Sequence, residues 1–237
     1  MPIVSSSGAT ISYDVHGPAG SPPVLFINSI GTRRELWDRQ RRGLETAYRV
    51  IQYDARGHGQ SSVLPGDYTI TQLAQDALAI LDAEQLAEAQ ICGIFLGGLT
   101  ALRLGVDGAH RARAQPGHEG GGRHGHATLV HRRLPRARGR HGAAVPRMVE
   151  SCPAGGYLGC CAALRDEDLR EALGAVRCPV LAVAGSVDRA TPAELLQFVH
   201  ERIPRSRLVT LEAGHLSNVE QDAAFNASLS AFLAAHA

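Results

Sequence analysis

Residues 89–102 constrain the fold more tightly than any other stretch of the chain. Ala89-Gln90-Ile91-Cys92 opens a short apolar run, and Gly98-Leu99-Thr100-Ala101-Leu102 reads as the start of a helix. Between them, Gly93-Ile94-Phe95-Leu96-Gly97 sets a glycine two residues to either side of Phe95. Such glycines permit a buried strand to turn at once into a helix. In the pattern G-x-S-x-G this turn exposes a nucleophilic serine above the sheet. Here the central residue is Phe95, whose phenyl ring cannot attack a carbonyl.

The surrounding pattern predicts one α/β domain built on a doubly wound, mostly parallel sheet with helices on both faces. With 237 residues, 44% of them apolar, the chain is long enough to bury a full core. Residues 24–27 and 49–54 are short apolar runs, the mark of strands covered on both faces, and residues 91–95 form the strand before the turn. Residues 180–184 and 208–211 predict two more buried strands, followed by helices over 192–203 and 220–236. Residues 11–15 alternate as an edge strand does. Thr69 precedes a helix to about Leu86, with Leu73, Ala77, Ile80 and Leu81 on one stripe.

Composition removes several functions. The net charge is +1, so no overall field draws the chain toward nucleic acid or an anionic membrane. All 24 basic residues are arginine, which points to a GC-rich gene more than to a task. The five cysteines show no C-x-x-C spacing, as expected of reduced thiols in a cytoplasmic protein. No charged n-region with an apolar h-region opens the chain, and no run approaches 18 apolar residues, so neither classical secretion nor a membrane span is expected.

Residues 107–147 break the alternation. They hold nine Arg, six His and eight Gly, and beyond alanine their only apolar residues are Leu129, Val130, Leu134 and Val145. A sheet strand is due soon after the helix that follows Phe95, and the segment offers no candidate. A nucleic-acid patch would interleave aromatic residues, of which there are none. His124 and His126 can share one ion, but a metal site wants carboxylate or cysteine partners at helical or turn spacing. No metal or other cofactor is predicted. GC-rich codons read out of frame give this Arg/Ala/Gly/His/Pro composition, and that is the preferred account. The organisation expected is a core of residues 1–106 and 148–237, with 107–147 a poorly packed or disordered segment in place of a strand and, as the resemblance given below implies, of part of a cap.

Acyl transfer needs a nucleophile, a base, a group to orient the base, and donors for the oxyanion. In the order set by G-x-S-x-G chains the acid and then the histidine follow the turn. Asp188 comes after the strand at 180–184, and His215 after the strand at 208–211, both where parallel strands present site residues. The expected oxyanion donors are the backbone amides of Leu96 and, in the loop Asn28-Ser29-Ile30-Gly31, Ile30. His58, in Asp54-Ala55-Arg56-Gly57-His58-Gly59-Gln60-Ser61, reads as a turn and packing residue beside the site rather than as the base.

Taken together, the chain resembles the 3-oxoadipate enol-lactonases, a group of α/β-hydrolases that open the enol-lactone of the β-ketoadipate pathway of aromatic breakdown. The segments that carry the resemblance are residues 26–32 with Trp37, residues 53–62, Tyr157-Leu158-Gly159-Cys160-Cys161-Ala162-Ala163-Leu164-Arg165-Asp166, and Ala213-Gly214-His215-Leu216-Ser217-Asn218-Val219-Glu220. It covers about residues 8–106 and 148–237 and fails across 107–147. It implies an ester or lactone hydrolase with Phe95 at the nucleophile position, Asp188 and His215 completing the triad, and Ile30 and Leu96 at the oxyanion. It further implies Ser29 and Trp37 at a small-molecule lactone or ester, no cofactor, and a monomer or homodimer. Other readings on the same scaffold are a non-catalytic ligand-binding protein and an ester hydrolase of other specificity.

Overall fold

The apolar runs of the sequence become strands of one sheet. A computed structural model describes residues 1–114, 126–130 and 144–236, with only the backbone at 109–114 and 126–130. The strands are β1 (Ile3–Ser6), β2 (Ala9–His16), β3 (Pro23–Ile27), β4 (Arg49–Tyr53), β5 (Gln90–Ile94), β6 (His126–Val130), β7 (Val180–Gly185) and β8 (Ser206–Leu211). They lie in the order β1-β2-β4-β3-β5-β6-β7-β8. The first two pairings, β1 with β2 and β2 with β4, are antiparallel, and every later one is parallel.

Helices cover both faces, as the sequence predicts. They are α1 (Asp38–Leu44), α2 (Ile70–Ala83), α3 (Leu96–Ala114), α4 (Ala144–Glu150), α5 (Ala154–Asp166), α6 (Ala193–Arg202), α7 (Ser217–Glu220) and α8 (Asp222–Ala234). Alternate residues of each strand sort to opposite sides. Leu25, Ile51 and Ile91 join Leu73, Ala77 and Ile80 of α2, Leu102 of α3 and Leu196 of α6 in one cluster. Val24, Phe26, Val50 and Cys92 join Leu44 of α1 and Phe225, Leu229 and Phe232 of α8 in the other. Each large side chain buried this way stabilises the fold by about 1.5–3 kcal/mol. At its N-terminus α2 is closed by the predicted Thr69, whose hydroxyl accepts from the Gln72 amide while Gln72 reaches back to the Thr69 amide.

Three expectations need correction. A strand does follow α3: β6 pairs with β5 from His126 through Val130 and with β7 from Ala127 through Leu129. Backbone pairing on two sides sets this strand despite its poor apolar pattern. The stretch thought to lack a core strand therefore contributes one, and its two ends belong to α3 and α4; residues 115–125 and 131–143, including His124, lie outside the described residues. Strand β8 is a half-exposed edge rather than a buried strand. The final helix is broken at Gln221, where φ is −130°, into α7 and α8.

Two backbone junctions position the site. The turn after β4 is held to α2 by a fully buried, bidentate pair, Arg56 Nε and Nη2 donating to Asp76 at 2.7 and 2.6 Å. The same turn meets α5 backbone to backbone. A Cβ on Gly156 would lie 2.0 Å from the Gly57 carbonyl oxygen, and one on Gly57 would lie 2.5 Å from the Gly156 Cα.

Candidate active site

Because β3, β5, β7 and β8 run parallel, the loops that leave them gather at one edge of the sheet. Phe95 follows β5 directly and has φ 51°, in the left-handed region. A non-glycine residue there costs on the order of 1–3 kcal/mol. The packing around it compels the conformation. A Cβ on Gly93 would lie 2.2 Å from the Gly97 carbonyl oxygen, and one on Gly97 would lie 2.2 Å from that of Ile27. The two glycines therefore hold the turn sharp and bring the first turn of α3 against the end of β3.

Asp188 and His215 come together here. His215 Nδ1 donates to Asp188 Oδ2 at 3.0 Å, with both side chains buried. Asp188 also accepts the Ala190 amide at 2.9 Å, the Thr191 amide at 3.2 Å and the Thr191 hydroxyl at 3.0 Å. Burial pushes the Asp188 carboxyl above its usual value, and those hydrogen bonds oppose the shift. The His215 loop is clamped by Glu220, whose carboxylate accepts the Gly214 amide at 2.8 Å and the Leu216 amide at 3.2 Å. Across from this pair stands the Phe95 ring, edge-on to the imidazole at a centroid distance of 5.9 Å. An oriented imidazole thus faces the hydrocarbon ring of Phe95.

The loop after β3 carries the second expected donor. Ser29 is buried, and its carbonyl accepts the Thr32 amide at 3.2 Å and hydroxyl at 2.7 Å. Asn28 Nδ2 donates to the Thr32 carbonyl at 2.9 Å. Ile30 packs in the same apolar cluster as Phe95 and Leu96. Leu96 opens α3, so its amide is one of the first-turn donors that no intrahelical carbonyl reaches.

Trp37 is not at the cleft. Its indole is fully buried against Phe26, at 4.7 Å, and Phe225, at 6.2 Å, on the opposite face of the sheet from α2 and α3. A large apolar ring gains more from that core than from a solvent-facing rim. A cleft of about 730 Å³ opens beside Phe95, between Leu99 and Leu102 of α3, Leu164 of α5, and Leu195 and Phe198 of α6. Neither Ser29 nor Trp37 lines it. Its rim arginines, Arg165 and Arg170, are exposed and paired with Asp166 and Asp168. Among the described residues, no three His, Cys, Asp or Glu side chains are placed to hold a metal, and no helix is long and apolar enough to cross a membrane.

Thr191, Glu220 and the partner of His58 are details that residue patterns did not assign. The first two were signalled in part. An Asp three residues before a Thr is a local turn former, and a Glu five residues after His215 begins no apolar stripe of its own.

Comparison with known proteins agrees with this fold. Residues 22–114 match a family described as having the alpha/beta hydrolase fold. The chain is 34% identical to 3-oxoadipate enol-lactonase 1 of Acinetobacter baylyi, covering 98% of this chain and 96% of that one. It is 35% identical to 3-oxoadipate enol-lactonase 2 of the same organism, covering 97% and 95%. The crystal structure of the enol-lactonase from Burkholderia xenovorans superposes with a TM-score of 0.86 at 26% identity, covering 98% of this chain and all of that one.

Proposed function

The chain belongs to the alpha/beta hydrolase family, and from that premise we propose that it is a hydrolase of the 3-oxoadipate enol-lactonase kind, silenced at its nucleophile. The observation that carries this reading is the Asp188–His215 pair, bonded at 3.0 Å and facing Phe95 on a left-handed turn. With serine at position 95 the expected steps are those of a serine-hydrolase triad. The hydroxyl attacks the lactone carbonyl, and His215 takes its proton while Asp188 holds the imidazole. The Ile30 and Leu96 amides receive the charge that forms on the carbonyl oxygen. His215 returns the proton to the leaving enol oxygen, and water activated by the same histidine releases 3-oxoadipate. With Phe95 there is no attacking atom, and its ring occupies space that the carbonyl must enter.

The test is Phe95→Ser. Restoring the nucleophile is expected to raise hydrolysis of the enol-lactone by at least about 10³-fold, since the remaining groups alone give only about 10³–10⁴ over water. A p-nitrophenyl ester run beside it separates lactone hydrolysis from general esterase activity. A folded Phe95→Ser protein inert on both would defeat the proposal. The cleft of about 730 Å³ beside Phe95 favours a second reading, a protein that holds a small apolar ligand. That reading requires saturable binding by the unmodified chain, measured by calorimetry, and no gain from the serine.

A further inference from the structure

The turn after β4 contains a histidine that the hydrolytic reading leaves without a task. His58 is 1% exposed. Its Nδ1 lies 3.1 Å from the Arg56 carbonyl oxygen, which only accepts, so Nδ1 carries a proton. Its Nε2 accepts the Gly31 amide at 2.8 Å. The two bonds define one tautomer of a neutral ring. A second proton on Nε2 would set N–H against N–H. Burial already holds the imidazole below its ordinary value, opposed by the Arg56 carbonyl and the Asp54 carboxylate. Of the charges nearby, Arg56 is committed to Asp76, and Asp54 lies 3.9 Å from Arg34.

Gly31 is the far end of the loop that carries Ile30. Its φ is +75°, which glycine adopts without strain, and a Cβ there would meet Val149 at 3.2 Å and Tyr157 at 3.3 Å. The other anchors of the loop, through Asn28, Ser29 and Thr32, are internal to it. His58 ties it to the turn after β4, and holding the Gly31 N–H fixes the peptide plane next to the one bearing the Ile30 donor. We propose that His58 is a positioning residue, a neutral imidazole clip that aims the Ile30 amide at the elbow and so completes the oxyanion site. The proposal rests on the hydrolytic reading for its catalytic consequence.

The experiment uses the full chain in the Phe95→Ser background, with p-nitrophenyl acetate as the probe. His58→Phe keeps ring volume and removes the acceptor; His58→Gln returns an oxygen near the place of Nε2. A misaimed donor is expected to lower kcat by about 10- to 100-fold in His58→Phe, with KM within about twofold, and His58→Gln is expected to recover most of it. Unchanged kcat in folded His58→Phe, or no recovery with glutamine, overturns the proposal. A second arm needs no activity. Nitrogen-15 NMR of the unmodified chain should show the Nδ1–H tautomer, and Gly31 amide exchange should quicken at least about tenfold in His58→Phe. The Nε2–H tautomer or unchanged exchange sinks the clip. A silent Phe95→Ser protein counts against the hydrolase reading instead, and the NMR arm then decides the clip alone.

Discussion

The elbow at Phe95 and the arm formed by Asp188 and His215 face each other and are built in different ways. The elbow keeps its backbone, with a left-handed φ of 51° and two glycines whose side-chain space is filled by carbonyl oxygens. At its apex stands Phe95, a side chain with no nucleophilic atom. The arm keeps its chemistry, a buried imidazole bonded to a carboxylate that three further donors orient. The shape of the site is held by backbone contacts spread over β3, β5 and α3, so one side chain can change without dismantling it. Under the hydrolytic reading, reactivity has no such redundancy, because it would reside in a single hydroxyl at position 95.

The largest expected effects probe whether the arm is still competent. Adding His215→Ala to Phe95→Ser should erase the gain in kcat, because removing a base costs as much as removing its nucleophile, on the order of 10⁶-fold in a fully competent triad. Survival of the gain would mean that some other group serves as base. Asp188→Asn in the same background should cost about 10⁴-fold by presenting the wrong imidazole tautomer. A loss under tenfold would reduce Asp188 to a packing residue.

Next comes the elbow backbone. Gly97→Ala drives a Cβ to 2.2 Å from the Ile27 carbonyl oxygen. It should cost roughly 3 kcal/mol or more, lowering Tm by about 6–12 °C in a chain of this size. Gly20→Ala, where the new Cβ meets nothing within 4 Å, is the control. Equal melting of the two variants would show that the elbow yields easily.

The smallest effect is in pH. The folded value of His58 lies below its ordinary value of 6.5, so the folded state holds fewer protons than the unfolded chain in the window just below pH 6.5. Its contribution to stability is present above pH 6.5 and is lost as pH falls toward the folded value. Asp188 and Asp76 are shifted upward, so their contributions run the opposite way, favouring the fold as pH falls toward 3.8. Subtracting the Tm profile of His58→Gln isolates the histidine. Parallel profiles between pH 5 and 7 would remove it as a source of acid sensitivity.

What the sequence revealed follows from how each feature is encoded. Strands β3, β4, β5 and β7 were legible because burial on both faces demands continuous apolar runs. Strand β6 was not: His126-Ala127-Thr128-Leu129-Val130 has two large apolar residues in an arginine-rich setting, and its place is set by pairing with β5 and β7. At the candidate site, the meeting of Phe95, Asp188 and His215 at one sheet edge follows from chain order, because each comes after a strand. For Trp37 the sequence was ambiguous, since an aromatic residue near a loop fits a core and a rim equally well, and the structure packs it against Phe26 and Phe225. The bond from His58 to Gly31 joins residues 27 apart, which no local pattern encodes.

The contact between Gly57 and Gly156 restricts how this chain can change by single mutations. Each residue occupies the volume that a methyl group on the other would need, with distances of 2.0 and 2.5 Å. Replacing one leaves the obstruction of the other in place, and replacing both doubles the clash, so no order of substitutions leads away from the pair. Variation in α5 must therefore accumulate on its other faces. Libraries that aim to reshape the roof of this cleft should hold both glycines fixed and vary residues such as Leu164, which faces the cleft.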